Sequence, residues 1–172
     1  MKLITYFTAS LVGMGVATGA FAAGGGSSSS STKTCKRGEV YDTKTKKCVV
    51  AERATDDAIF EGARDAAYSG EFDYAIDLLR LAANQDDPRV LNYLGFAHRK
   101  LGRTEAAMGY YLRALQIDPN YNLARSYMGQ GLVADGDMAG AREQLAEIRN
   151  RGGEGTWAYV MLENAITSGV VY

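Results

Sequence analysis

Few side chains in this chain could do covalent or metal chemistry. Its 172 residues include two cysteines and one histidine. Cys35 and Cys48 lack a neighbouring histidine, so a zinc shell built on them would be half empty. They are also spaced too widely for the redox chemistry of a C-x-x-C pair. His98 lies on the apolar face of a predicted helix, where filling the core is its plainest role. The serines are concentrated in the run 27–31 and none has a nucleophile's setting. Gly24, Gly25 and Gly26 precede no strand–helix unit and form no phosphate loop. Aspartates and glutamates fall on predicted helix surfaces and turns, as solvated charge. No catalytic, cofactor-binding or metal-ligating set emerges. The sequence therefore reads as a binding protein rather than an enzyme, with no cofactor.

The elements behind these residues follow from spacing. Leu91, Leu94, Gly95 and His98 recur at i, i+3, i+4, i+7, which marks one face of a helix. Gly102 ends that helix, because glycine takes the left-handed conformation that a helix C-terminus needs. A second helix starts near Thr104, a candidate N-cap, with Ala107, Tyr111, Ala114 and Leu115 on one face. Asp118 and Pro119 stop it, since proline disfavours helix in the residue before it. Gly95 and Ala107 are small where two helices approach, and Tyr111 fills the gap between them. The pattern recurs. Gly70, Gly102 and Gly136 mark three inter-helix turns, followed in register by Ala75, Ala107 and Ala141, then Leu79, Tyr111 and Leu145, then Ala82, Ala114 and Ile148.

These residues resemble the tetratricopeptide repeat (TPR) pattern, most specifically over 88–121, with weaker copies on either side. The resemblance implies an all-α, TPR-like helical-hairpin solenoid over 54–172. Its repeats are expected near 56–87, 88–121 and 122–155, with a capping helix near 156–168. A hairpin of this kind cannot bury its apolar face alone and stacks on its neighbours. The family lines its groove with the first helix of each hairpin. Carried over position by position, that implies partner contacts from Phe60 and Arg64, from Asn92, Phe96 and Arg99, and from Ser126 and Gln130. The plainer reading is that some of these pack between hairpins. Arg64, Asn92 and Arg99 fall short of the family's full carboxylate clamp. Two phenylalanines instead suit an apolar or extended peptide steered by arginines.

The last helix opens at Thr156, with Trp157, Val160, Met161 and Ala165 at helical spacing. It reads as a cap on the third repeat. Its apolar arc is broad, which leaves self-association as a second use.

The N-terminal third is organised differently. Residues 1–22 read as a signal peptide: Lys2, an uncharged apolar run, then Ala20-Phe21-Ala22, with cleavage before Ala23. Residues 23–34 form a Gly/Ser-rich linker. Residues 35–53 form a small module whose spacing resembles the C-x-x-G-x-V-x-D cassette of small secreted cysteine modules. An even cysteine count behind an export signal points to an oxidising compartment and a Cys35–Cys48 disulfide. Turns at Gly38 and across 42–46 suggest a clipped hairpin around Val40 and Tyr41. The module is expected to stand apart from the repeat core, so that losing its disulfide would leave the helical melting transition almost unchanged.

Charge divides the chain. Residues 33–53 carry seven basic and three acidic side chains, and residues 54–172 carry 11 and 17. The basic module could meet polysaccharide, anionic lipid or the acidic repeats themselves, whereas the acidic bulk argues against nucleic acid. The sequence thus describes an exported scaffold, periplasmic or secreted from a bacterial cell, that holds a protein or peptide in a groove and spans no membrane once its signal is removed. The alternatives are an envelope surface binder whose cysteine module makes the contact while the repeats act as spacer, or an accessory factor of secretion or envelope assembly.

Overall fold

The computed structural model describes residues 35–172. The expected signal peptide of 1–22 and the linker of 23–34 lie outside the described residues. Two strands, β1 (Glu39–Asp42) and β2 (Lys47–Val50), precede a short 3-10 turn (Ala51–Arg53) and seven helices. These are α1 (Asp56–Tyr68), α2 (Phe72–Leu79), α3 (Pro88–Lys100), α4 (Thr104–Ile117), α5 (Asn122–Ala134), α6 (Met138–Asn150) and α7 (Trp157–Ser168). The helices pair as hairpins α1–α2, α3–α4 and α5–α6. The first helices of successive hairpins also meet, α1 against α3 and α3 against α5, and α7 lies against α5 and α6.

The three turns share one hydrogen-bonded stop. Gly102 takes φ 73°. Its N–H donates to Arg99 O at 2.9 Å, and the N–H of Arg103 donates to His98 O at 2.9 Å. Satisfying the last carbonyls this way requires the left-handed residue that glycine supplies. Gly70 and Gly136 repeat the arrangement. Helix starts are capped by Thr55, Asp87, Asp137 and Thr156, each accepting from a backbone N–H in the first turn. Thr104 does not cap α4: the turn places Arg103 at the N-cap with no side-chain hydrogen bond, and Thr104 is the first helical residue. At the other end of α4, Asp118 is extended, as the following proline requires.

Packing explains the small residues. A Cβ at Gly95 would come within 2.6 Å of Tyr111 Cε1, and Tyr111 is fully buried. The close approach of α3 and α4 is therefore built on a glycine against an aromatic ring. Gly129 plays the same part for α7, whose Leu162 Cδ atoms would lie 2.7 Å from an added Cβ. The last helix thus docks on α5 and buries Ala158, Tyr159, Leu162 and Ala165, leaving Trp157 and Val160 exposed.

Cys35 and Cys48 are joined by a disulfide across the β1–β2 hairpin. The expected separation of this module from the repeats does not hold. Val40 is buried in the same apolar cluster as Ile59, Phe60, Ala63 and Leu79. Gly62 of α1 makes room for it, since a Cβ there would lie 2.6 Å from Val40 Cγ1. The Gly38 N–H donates to the Tyr74 hydroxyl at 2.8 Å, and Arg37 pairs with Glu71 at 3.0 Å. Part of the module's positive charge is thus spent on the acidic repeats. A strand this short has no core of its own and gains one only by covering the exposed end of the first hairpin.

Candidate functional site

The first helices of the hairpins carry an aromatic cluster on their shared face. Tyr68 ends α1, Tyr93 and Phe96 lie on α3, Tyr127 lies on α5 and Trp157 opens α7. Phe96 and Tyr127 have ring centroids 4.8 Å apart. Tyr68 meets Tyr93 edge-on at 5.9 Å, and Tyr127 meets Trp157 edge-on at 6.1 Å. The hydroxyl of Tyr68 lies 2.6 Å from that of Tyr93 and 3.3 Å from that of Tyr127. Burial, reinforced by the bond to Tyr68, pushes the Tyr93 and Tyr127 hydroxyls well above the usual phenol range. The cluster is therefore neutral and offers rings and hydroxyls rather than charge.

Buried rings of this kind are ordinary core. The informative rings are those left open: Tyr68 is 48% exposed, Trp157 49% and Tyr172 43%. Tyr172 belongs to the stretch that follows α7 and lies across this face. Its ring stacks on Phe96 at 6.2 Å and meets Trp157 and Tyr68 edge-on at 5.8 and 6.3 Å. Its main chain is held at both polar atoms. The N–H donates to Gln130 Oε1 at 2.8 Å, and the main-chain oxygen accepts from Arg99 Nη2 at 2.6 Å.

The seven residues singled out by sequence divide accordingly. Phe96, Arg99 and Gln130 come together around Tyr172, and Ser126 stands behind Gln130, accepting from its Nε2 at 3.4 Å. The other three lie elsewhere. Phe60 is buried edge-on against Tyr93, with Arg89 over its ring at 4.9 Å. Arg64 pairs with Glu61 and Asp65. Asn92 is fully buried, with Nδ2 3.5 Å from the Tyr121 hydroxyl. Sequence reasoning missed Tyr68, Tyr93, Tyr127, Trp157 and Tyr172. One signal was available: Tyr93 and Tyr127 recur at the same place in consecutive repeats, nine residues before Gly102 and Gly136.

His98 is buried and stacks on Tyr110 at 5.3 Å. Neither ring nitrogen has a hydrogen-bond partner. Burial, with Arg103 and Arg80 nearby, holds its pKa below the usual histidine value, and Asp73 opposes them. That fits a packed aromatic. Among the described residues no three His, Cys, Asp or Glu side chains gather as metal ligands, and no helix is long and apolar enough to cross a membrane.

Stacked helical hairpins with glycine turns at a fixed interval, closed by a terminal helix, define a helical-repeat protein. The Tetratricopeptide repeat family model matches residues 88–121, which span the α3–α4 hairpin. The α3–α4 hairpin thus matches a tetratricopeptide repeat, a type of repeat that generally mediates protein–protein interaction. A comparison with curated proteins finds no match.

Proposed function

We propose that the protein is an exported, non-catalytic scaffold that captures a protein or peptide in a groove lined by α1, α3, α5 and α7. The carrying observation is the set of half-exposed rings, Tyr68, Trp157 and Tyr172, gathered beside Arg99 and Gln130. Aromatic rings left open to water on a rigid platform, with arginine at their edge, are the residue types that dominate protein interfaces. The disulfide and the apolar leader support an oxidising, periplasmic or extracellular location.

The surface-binder alternative is less favoured, because the cysteine module is engaged in covering the first hairpin. Its exposed lysines Lys36, Lys46 and Lys47 still allow a direct test. Trp157→Ala should weaken partner capture from an envelope fraction by about fivefold or more. Replacing the three lysines with glutamate should leave capture within about twofold, because peripheral surface charge contributes little. The reverse pattern would make the repeats a spacer.

A further inference from the structure

We infer that segment 169–172 is a stand-in ligand: the groove accepts an extended peptide bearing a tyrosine, and this segment occupies it in competition with such a partner. The inference rests on the groove-binding reading and specifies its ligand. Gly169 closes α7 in a left-handed conformation, with φ 73°, which turns the chain back over α5. Val171 packs against the cluster of Val133, Ala141 and Ala165, and Tyr172 reaches Arg99 and Gln130 beyond it.

Both polar main-chain atoms of Tyr172 are met by side chains of the repeats. A side-chain carbonyl accepting from a peptide N–H and a guanidinium donating to a main-chain oxygen recognise backbone, whichever chain supplies it. The tyrosine ring adds the selective part by stacking on Phe96 between Tyr68 and Trp157. Charge does not compete with this recognition, since the cluster beneath is neutral and Arg99 is the cation that touches the segment.

The hold is shallow. Val170 is 73% exposed, and the segment has no regular structure. Beyond α7 itself the segment is held by two hydrogen bonds, the ring contacts of Tyr172 and the packing of Val171, and a longer peptide making the same contacts and more can displace it. While the segment is seated, a partner meets only the fraction of molecules in which the groove is open, and its apparent affinity falls by that fraction.

Trp157 is the only tryptophan in the chain and touches Tyr172, so its emission reports occupancy directly. The probe is a synthetic peptide of residues 168–172, Ser-Gly-Val-Val-Tyr, titrated into the full chain and into a chain ending at Ser168. The shortened chain should show altered Trp157 emission, and the peptide should restore the full chain's spectrum with saturation. The full chain should respond at least tenfold more weakly. Arg99→Gln in the shortened chain should weaken the peptide by about tenfold. Tyr172→Ala in the full chain keeps Val171 in place and serves if shortening disturbs α7; it should also open the groove to the peptide.

Equal responses from full and shortened chains would overturn the inference, as would no response from either opened form while circular dichroism stays helical. A concentration-dependent dimer lost on shortening would also overturn it, by seating the segment in a second copy. Partner capture separates the two readings. If Trp157→Ala abolishes capture but neither shortening nor Tyr172→Ala raises it, the groove function stands and the stand-in ligand falls.

Discussion

Gly95→Ala tests the repeat packing with a worked sign. In an exposed helix interior the substitution would stabilise by about 1 kcal/mol, because alanine loses less backbone entropy on folding. At this position the new Cβ would fall 2.6 Å from Tyr111 Cε1, 2.8 Å from Cδ1 and 3.0 Å from Cζ. The ring is fully buried and cannot swing into solvent. Overpacking costs roughly 1–3 kcal/mol, and with three atoms of a buried ring at or within 3.0 Å the upper part of that range, about 2–3 kcal/mol, applies, so the steric effect wins and the net loss should be about 1–2 kcal/mol. For a chain of this size that lowers the melting midpoint by about 2–8 °C, read by far-ultraviolet circular dichroism. A cycle with Tyr111→Ala isolates the cause. Without the ring, alanine at 95 should be neutral or stabilising. An equal cost in both backgrounds would refute the reasoning, because the glycine would then serve something other than the α3–α4 approach.

Further outcomes follow from the same geometry. Val40→Ala removes two buried methyl groups from a site shared by β1 and α1 and should cost about 2 kcal/mol of the whole helical transition; an unchanged melt would restore the picture of a detached module. Cys35→Ser opens the disulfide loop and should lower the same transition by up to about 3 kcal/mol, with chemical denaturation as the readout. Asp87→Ala removes the α3 cap and should cost about 0.5–2 kcal/mol. Bonding to Arg89 lowers the Asp87 pKa, so its contribution is present above the unfolded carboxylate value and is lost as pH falls through the lowered one. His98 behaves differently. Its pKa is lowered on folding, so the unfolded chain binds the proton first, and stability should decline as pH falls from neutrality through the unfolded value of about 6.5. His98→Phe should flatten that part of the profile, and an unaltered slope would assign it to other groups.

Much of the fold was legible because turn chemistry and small-residue spacing are local. Gly102 with its left-handed turn, the stop at Asp118 and Pro119, and Gly95 facing Tyr111 each follow from one residue's steric needs. Thr104 was misread because a threonine near a helix start is a cap only if the preceding turn leaves it outside the helix, and the Gly102–Arg103 bonds do not. The docking of Val40 was hidden for another reason: nothing in a four-residue strand states which surface it will cover. The site was half legible. Repeat register picked out Phe96, Arg99 and Gln130, which the fold gathers beside Tyr172, but a family's groove columns say nothing about which rings are already stacked on one another. The chain's return at Gly169, which brings Tyr172 onto that face, is a long-range placement with no periodic signature.

The central claim is that partners meet the α1–α3–α5–α7 face. Site-specific photocrosslinking tests it most directly, with benzoylphenylalanine in place of Tyr68 or Trp157 on that face, of Leu112 on exposed α4, and of Lys47 on the cysteine module. Crosslinking in whole cells should yield the same partner adduct from positions 68 and 157 and none from 112 or 47. Adducts from 47 or 112, with none from 68 and 157, would contradict the account and move the interaction off the groove.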